Sequence, residues 1–156
     1  MTMEPNARVI ETLNELLKSE LTAINQYIVH AEMAEDWGYE SYYKIEKHTA
    51  IQEMEHAEDL IARILFLGGK PIVIHIDQIR IGTDLPTMLE NDRILEQSAI
   101  DAYNLAIQVM VEEKDNGSKQ LLEAILEDEE AHIDFFEEHL DQIDQMGLPY
   151  YLTTIK

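Results

Sequence analysis

Apolar residues recur at intervals of three and four in four long segments of the chain, roughly 6–36, 39–67, 85–115 and 117–146. This spacing predicts four amphipathic helices, because it gathers the apolar side chains on one face of each helix. Glycine and proline, which interrupt helices, lie between the segments or at their first residues. The first two predicted inward stripes are Val9, Leu13, Leu16, Leu17, Leu21, Ile24 and Ile28, and then Ile45, Thr49, Ala57, Leu60, Ile64 and Leu67.

The connections predict how these helices pack. Short links at 37–38 and 115–117 imply that helices one and two, and helices three and four, are antiparallel neighbours. The link at 68–84 is long and alternates at Ile72, Ile74 and Ile76; a lone strand has no partner, so we expect an extended crossover with buried Ile anchors. The prediction is an all-α fold, an antiparallel four-helix bundle of ferritin-like topology. A single domain spans 1–156, with the bundle at about 6–146 and a short C-terminal fifth helix at about 148–156.

The composition of the chain excludes several kinds of site and makes several kinds of partner unfavourable. The chain has 156 residues and no cysteine, which excludes disulfides, iron–sulfur clusters and thiolate metal sites. Its 32 acidic and 11 basic residues give a net charge of −21, so we expect no nucleic-acid or membrane partner and an attraction for cations. Residues 1–10 do not resemble a signal peptide, and no apolar run approaches ~20 residues, so we expect a soluble cytoplasmic protein.

Each of the four predicted helices places a carboxylate on its inward face, and two of them add a histidine three residues later. The residues are Glu20, Glu53 with His56, Glu96, and Glu129 with His132. Charged residues are rare on a buried face unless they are paired or bound to a metal. The alternative is a buried salt-bridge network, but that network requires inward Lys or Arg side chains, and the stripes hold almost none.

The two halves of the chain repeat this arrangement with an offset of 76 residues. The offset takes every site residue of the first half to one in the second half, and it takes Tyr27 to Tyr103. Two similar hairpins related by an approximate two-fold axis would bring all six side chains to one place. The sequence therefore predicts one shared site inside the subunit.

Four carboxylates and two imidazoles suit two first-row metal ions of intermediate hardness. This ligand set is that of the di-iron and di-manganese carboxylate proteins. We expect one ion to bind Glu20 and His56 and the other to bind Glu96 and His132. The two carboxylates that would bridge the ions are Glu53 and Glu129.

At these residues the sequence resembles the bacterioferritin family, and the resemblance covers nearly the whole chain, from 7 to 152. It is strongest in the stretches 20–27, 53–57 and 128–134. The resemblance implies an iron-storage ferroxidase that oxidises Fe(II) with O2 or peroxide and stores ferric mineral in a homo-oligomeric shell of 24 subunits. It also implies two iron ions per subunit, a ferredoxin-type reductase as partner for iron release, and catalytic ligands at Glu20, Glu53, His56, Glu96, Glu129 and His132.

Two further sites follow from the resemblance alone. Met54 matches the family position whose thioether binds haem b, shared between two subunits; the alternative is a methionine that fills a subunit contact. Some members carry an additional iron site on the cavity surface, formed by a His and an Asp. Here His48 matches, but Gln52 stands where the acid would be, and an amide is a weaker ligand.

For the other tyrosine and histidine residues the sequence supports only general expectations. Tyr27 and Tyr103 could hydrogen-bond the bridging carboxylates or donate an electron, or they could be core tyrosines. We expect His75 and His139 to have no special role and His30 to be a surface or interface residue.

Two other functions fit parts of the pattern. A rubrerythrin-like di-iron oxidase or peroxidase uses a similar site, but that family usually carries an iron–thiolate domain, which a chain without cysteine cannot form. A haem-carrying structural shell protein would use the metal site only for stability.

Overall fold

Four long helices form the bundle in the computed structural model, which describes residues 4–156. They are α1 (Ala7–Asp36), α2 (Glu40–Phe66), α3 (Leu85–Glu112) and α4 (Asn116–Met146), and a short α5 (Leu148–Thr154) follows. Helix α1 packs along α2 and α3 packs along α4, while contacts of α1 with α3 and of α2 with α4 join the two hairpins. The prediction of an all-α bundle with one long crossover and a short last helix is confirmed. None of the described helices is both long and apolar enough to cross a membrane.

Local sequence signals set the helix ends. Asp84 and Thr87 form a reciprocal capping box at the start of α3, and Pro86 occupies its first turn, where a missing N–H costs nothing. Gly38 and Gly147, which follow α1 and α4, have φ of +87° and +80°. This left-handed backbone favours glycine, so the chain turns at these two points.

The apolar core is divided into two clusters, one toward each end of the bundle. Polar and charged side chains occupy the buried space between the clusters. Two residues of the predicted stripes do not face inward: Ile28 is 38% exposed and Ile45 is 39% exposed. An α-helix has 3.6 residues per turn, so residues chosen at steps of three and four gradually rotate away from the inward face. Tyr27 and Tyr42 fill the core at these places instead.

The crossover is extended as expected and contains no strand, but the expectation of buried Ile anchors is wrong. Ile72, Ile74 and Ile76 are 41%, 83% and 49% exposed. Their side chains point away from the subunit because a different set of contacts holds this segment.

Hydrogen bonds from one polar stripe of α1 fix the crossover backbone. The side chains of Asn14, Thr22, Gln26 and His30 accept the backbone N–H groups of residues 72, 77, 80 and 82 at distances of 2.8, 2.8, 3.1 and 3.0 Å. Lys18 lies in the same stripe and pairs with Asp77 at 3.5 Å. Side chains four residues apart are neighbours on a helix surface, so Asn14, Lys18, Thr22, Gln26 and His30 form one continuous polar stripe along α1, which we call the α1 rail.

Replacing Asn14 tests this rail. Asn14 makes two crossover bonds, accepting from the Ile72 N–H and donating to the Lys70 carbonyl oxygen at 3.1 Å. We expect Asn14→Ala to lower the free energy of unfolding by about 1 kcal/mol and to speed amide hydrogen exchange at residues 70–77, measured by mass spectrometry. The matched control is Asn25→Ala, since Asn25 is exposed and bonds only the Leu21 carbonyl of its own helix. Equal exchange in both variants would contradict the proposed role of the rail.

Candidate metal centre

Six titratable side chains from the four long helices meet in the middle of the bundle. All are between 1% and 7% exposed, and they are Glu20, Glu53, His56, Glu96, Glu129 and His132. The structure thus brings together all six residues that the sequence analysis selected for the shared two-metal site. Burial of so many charged groups is costly unless opposite charge reaches them.

The six residues form two overlapping groups rather than one ring. One group contains Glu20 and His56, and the other contains Glu96 and His132. Glu53 belongs to both groups, as does Glu129, and the candidate ligand atoms of each group lie within 4.8 Å of one another. Two carboxylates common to two groups are what a pair of neighbouring cations requires as bridges.

The two imidazoles face the centre with the same nitrogen. His56 Nδ1 lies 3.0 Å from Glu129 Oε1, and His132 Nδ1 lies 2.9 Å from Glu53 Oε1. The Nε2 atoms point outward, where His56 approaches Asp128 and His132 approaches Gln52, both at 2.8 Å. An Nε2–H donor on each ring leaves the Nδ1 lone pair available to a cation.

Two tyrosines hold the other pair of carboxylates. The Tyr103 hydroxyl donates to Glu20 Oε1 at 2.5 Å, and the Tyr27 hydroxyl donates to Glu96 Oε1. Burial, together with the adjacent carboxylates, raises the pKa of both tyrosines well above the usual value, so both remain donors. Each tyrosine therefore bonds a carboxylate that belongs to only one group. The expectation of hydrogen bonds to the shared carboxylates, Glu53 and Glu129, is not met.

The electrostatics of the centre favour bound positive charge. Burial and the neighbouring carboxylates raise the pKa of Glu53 and of Glu129 well above the usual value. Burial lowers the pKa of His56, but the carboxylates of Glu129, Glu20 and Asp128 outweigh it and raise that pKa to about 11. Protons thus offset part of the negative charge when no metal is bound, and a divalent cation would replace them.

Buried atoms without a hydrogen-bond partner show how a metal would fit. Within residues 4–156 several carboxylate and imidazole atoms of the centre have close neighbours but no aligned hydrogen bond. They are Glu20 Oε2, Glu53 Oε1, His56 Nδ1, Glu96 Oε2 and both oxygens of Glu129. Such atoms are expensive to bury unless a ligand satisfies them, and oxygen and nitrogen donors in this number suit two ions of the iron or manganese type.

Comparison with known proteins identifies the family of this chain. Residues 10–146 match the family described as the ferritin-like domain. The bacterioferritin of Streptomyces coelicolor is 42% identical over 153 residues, which cover 98% of this chain and 92% of the relative. The chain belongs to the bacterioferritin family. Further relatives are the bacterioferritins of Rhodobacter capsulatus, 43% identical over 93% of this chain and 90% of the relative, and of Brucella melitensis, 40% identical over 96% and 92%.

The structure also places the residues that the family resemblance singled out. Met54 lies on the surface of α2 and is 46% exposed, facing away from the metal centre. His48 is exposed on the same helix, whereas Gln52 is partly buried and bonds His132. His139, treated as ordinary, is partly buried, and its Nδ1 lies 2.6 Å from the Tyr151 hydroxyl of α5.

A second buried polar cluster was missed by the sequence analysis. His30, Glu46 and Asp92 are all fully buried beside the centre, so the expectation that His30 is a surface or interface residue is wrong. His30 is buried because it belongs to the α1 rail, which the crossover covers. The signal in the sequence was the rail itself, a polar residue at every fourth position.

This cluster has the composition of a metal site, but its histidine is already engaged in hydrogen bonds. His30 Nε2 accepts the Gly82 N–H, so Nδ1 carries the ring proton and donates to Asp92 Oδ1 at 2.8 Å. Both ring nitrogens are thereby occupied, and burial lowers the pKa of His30 so that the ring stays neutral. Burial raises the pKa of Glu46 well above its usual value. His30 and Asp92 therefore form a hydrogen-bonded pair, and Glu46 lies beside them with a raised pKa and with no hydrogen-bond partner for either carboxyl oxygen.

The pH dependence of stability tests the protonation of Glu46. In the unfolded chain a Glu side chain has a pKa of ~4.3, whereas the raised pKa of Glu46 keeps the folded carboxyl neutral to higher pH. Between these two pKa values the unfolded state ionises and the folded state does not, so the free energy of unfolding of the wild type falls as pH rises. The Glu46→Gln variant has no such loss. The free energy of unfolding of the variant minus that of the wild type should therefore increase with rising pH, by up to about 1.4 kcal/mol per pH unit.

The measurement is urea unfolding of the metal-free protein at several pH values between 5 and 7. Glu58→Gln is the control, because Glu58 is exposed on the same helix, and its difference from wild type should not change with pH. A Glu46→Gln difference that stayed flat or fell as pH rose would show that Glu46 is ionised in the folded protein.

Proposed function

We propose that this chain is an iron-storage protein and that its six-residue centre is the ferroxidase site, where two Fe(II) ions per subunit bind as substrate. Fe(II) supplies the electrons, with O2 or peroxide as the oxidant, and the Fe(III) formed moves on to be stored as mineral. The observation that carries the proposal is the pair of overlapping groups that share Glu53 and Glu129.

Each residue of the centre has a role in this proposal. Glu20 with His56, and Glu96 with His132, would each bind one ion, and the shared carboxylates would bridge both. Four carboxylates carry a charge of about −4, which two divalent cations balance, so burial of the loaded site is tolerated. Tyr103 and Tyr27 fix the orientation of the Glu20 and Glu96 carboxylates through their hydroxyl donors.

The surface supports the same function. A net charge of −21 concentrates cations near the protein and favours their entry. We propose assembly into a closed shell of 24 subunits, with a mass of about 430 kDa from a chain of 18.0 kDa. Exposed apolar side chains at Leu65, Phe66 and Leu105 and on the crossover at Ile74 are suited to burial between subunits. A ferredoxin-type reductase is the proposed partner for iron release.

A matched pair of variants tests the ferroxidase site. Glu129 is buried and shared by both groups, whereas Glu130 is exposed one residue later. We expect Glu129→Gln to slow oxidation of anaerobically loaded Fe(II), followed by ferric absorbance after O2 addition, at least about tenfold, and Glu130→Gln to leave the rate unchanged. Native mass should show the wild-type particle for both variants. Equal oxidation rates in intact particles of both would refute the proposed site.

Haem b is the second proposed ligand, bound by Met54 of two neighbouring subunits. The side chain fits this role because its thioether lies at the surface, beside the exposed Ile51 of the preceding turn, and is free to reach a group outside the subunit. Bound haem would supply a one-electron redox group near the protein surface. No step at the di-iron centre requires Met54, which points away from it.

A thioether-specific substitution tests the haem site. We expect the wild type to purify with haem Soret absorption, and we expect Met54→Leu, which keeps the volume but removes the sulfur, to purify without it. Its rate of Fe(II) oxidation should stay within about twofold of wild type, since the di-iron ligands are unchanged. Met146→Leu is the control, because Met146 is similarly exposed at 38% but lies at the end of α4. Wild-type haem content in Met54→Leu particles would assign the haem to other ligands.

A further inference from the structure

The two halves of the metal centre are alike in their inner residues but differ in the outer partner of each imidazole. His56 Nε2 lies 2.8 Å from Asp128 Oδ2, and His132 Nε2 lies 2.8 Å from Gln52 Oε1. Each contact crosses from one hairpin to the other. Positions 52 and 128 are themselves related by the 76-residue offset, so a carboxylate and an amide occupy equivalent places.

Both outer partners serve as acceptors for a ring N–H. When Nδ1 binds a cation, the one remaining proton of each ring resides on Nε2, and both the Asp128 carboxylate and the Gln52 amide oxygen can accept it. This commits the amide oxygen of Gln52 to His132. The structure therefore makes Gln52 a partner of His132 at the metal centre rather than of the exposed His48.

The two acceptors affect a metal-bound imidazole differently. A carboxylate that accepts the second ring N–H makes the ligating nitrogen a stronger electron donor, and it adds a negative charge near the ion. An amide fixes the orientation of the ring but adds no charge. The remaining ligands of each half are the same, namely one Glu of its own and the two shared carboxylates.

We propose that Asp128 and Gln52 are positioning residues that make the two halves unequal, so that a divalent ion fills the Glu20/His56 position before the Glu96/His132 position. The inference rests on the proposed ligand set. It adds an order of binding that the inner residues alone do not produce. Because Asp128 is half exposed and water screens its charge, the expected preference is on the order of tenfold in affinity.

Exchanging the two outer residues tests this order with the same pair of side chains. The probe is Co(II), added anaerobically to metal-free particles at one ion per subunit, and the readout is the anomalous scattering at each half of the centre in crystals. We expect higher occupancy beside His56 in the wild type. In the Gln52→Asp/Asp128→Gln variant we expect higher occupancy beside His132. A merely structural role for these residues would not move the ion from one half to the other.

Titration in solution tests the same order of binding with a second variant. Calorimetry of the wild type with Co(II) should show two steps per subunit, and Asp128→Asn, which keeps the acceptor oxygen but removes the charge, should bring the two affinities closer together. Gln52→Asp could create a surface cation site with His48 one turn away, so the exchange is repeated in a His48→Ala background, where the number of ions must remain two.

The outcomes separate this inference from the proposed function. Equal occupancy of the two halves in the wild type, or a preference that does not follow the carboxylate in the exchange variant, overturns the inference alone. Absence of Co(II) from both halves in every variant overturns the ligand set and the inference with it.

Discussion

The structure depends on the burial of four carboxylates and two imidazoles in the middle of an apolar bundle. Apolar clusters lie on both sides of this polar layer and exclude water from it. In such surroundings unbalanced charge is costly, and protons on Glu53, Glu129 and His56 lessen the cost without metal. A site that carries this penalty is prepared to bind cations, because two divalent ions remove it. Iron chemistry and fold stability are therefore linked through the same six side chains.

Approximate two-fold symmetry organises this layer, and small departures from it give each half its own character. Two hairpins deliver equivalent ligands, and two tyrosines cross between them to equivalent carboxylates. At the outer edge the symmetry fails, where Asp128 and Gln52 face the two imidazoles. Identical inner ligands with unequal outer partners allow a repeated design to bind two ions in a defined order.

The long crossover shows how polar contacts can replace an apolar anchor. Its backbone N–H groups would be unpaired along an extended segment without a partner strand, and the α1 rail accepts four of them. The crossover in turn covers His30 and so buries the cluster with Glu46 and Asp92. The apolar side chains of the crossover are thereby left on the outside, where other subunits can cover them.

Sequence alone determined the four helices, the crossover and the six residues of the centre, because helical periodicity and the 76-residue offset are local or regular signals. It could not determine which side of the crossover faces the bundle, since an alternating Ile pattern is compatible with either side. Nor could it assign His30, Glu46 and Asp92 to one buried cluster, because they come from three different helices. Tertiary structure also decided that Tyr27 and Tyr103 bond Glu96 and Glu20, and that Gln52 bonds His132. These contacts depend on how the two hairpins are placed against each other, which no periodicity within a single helix records.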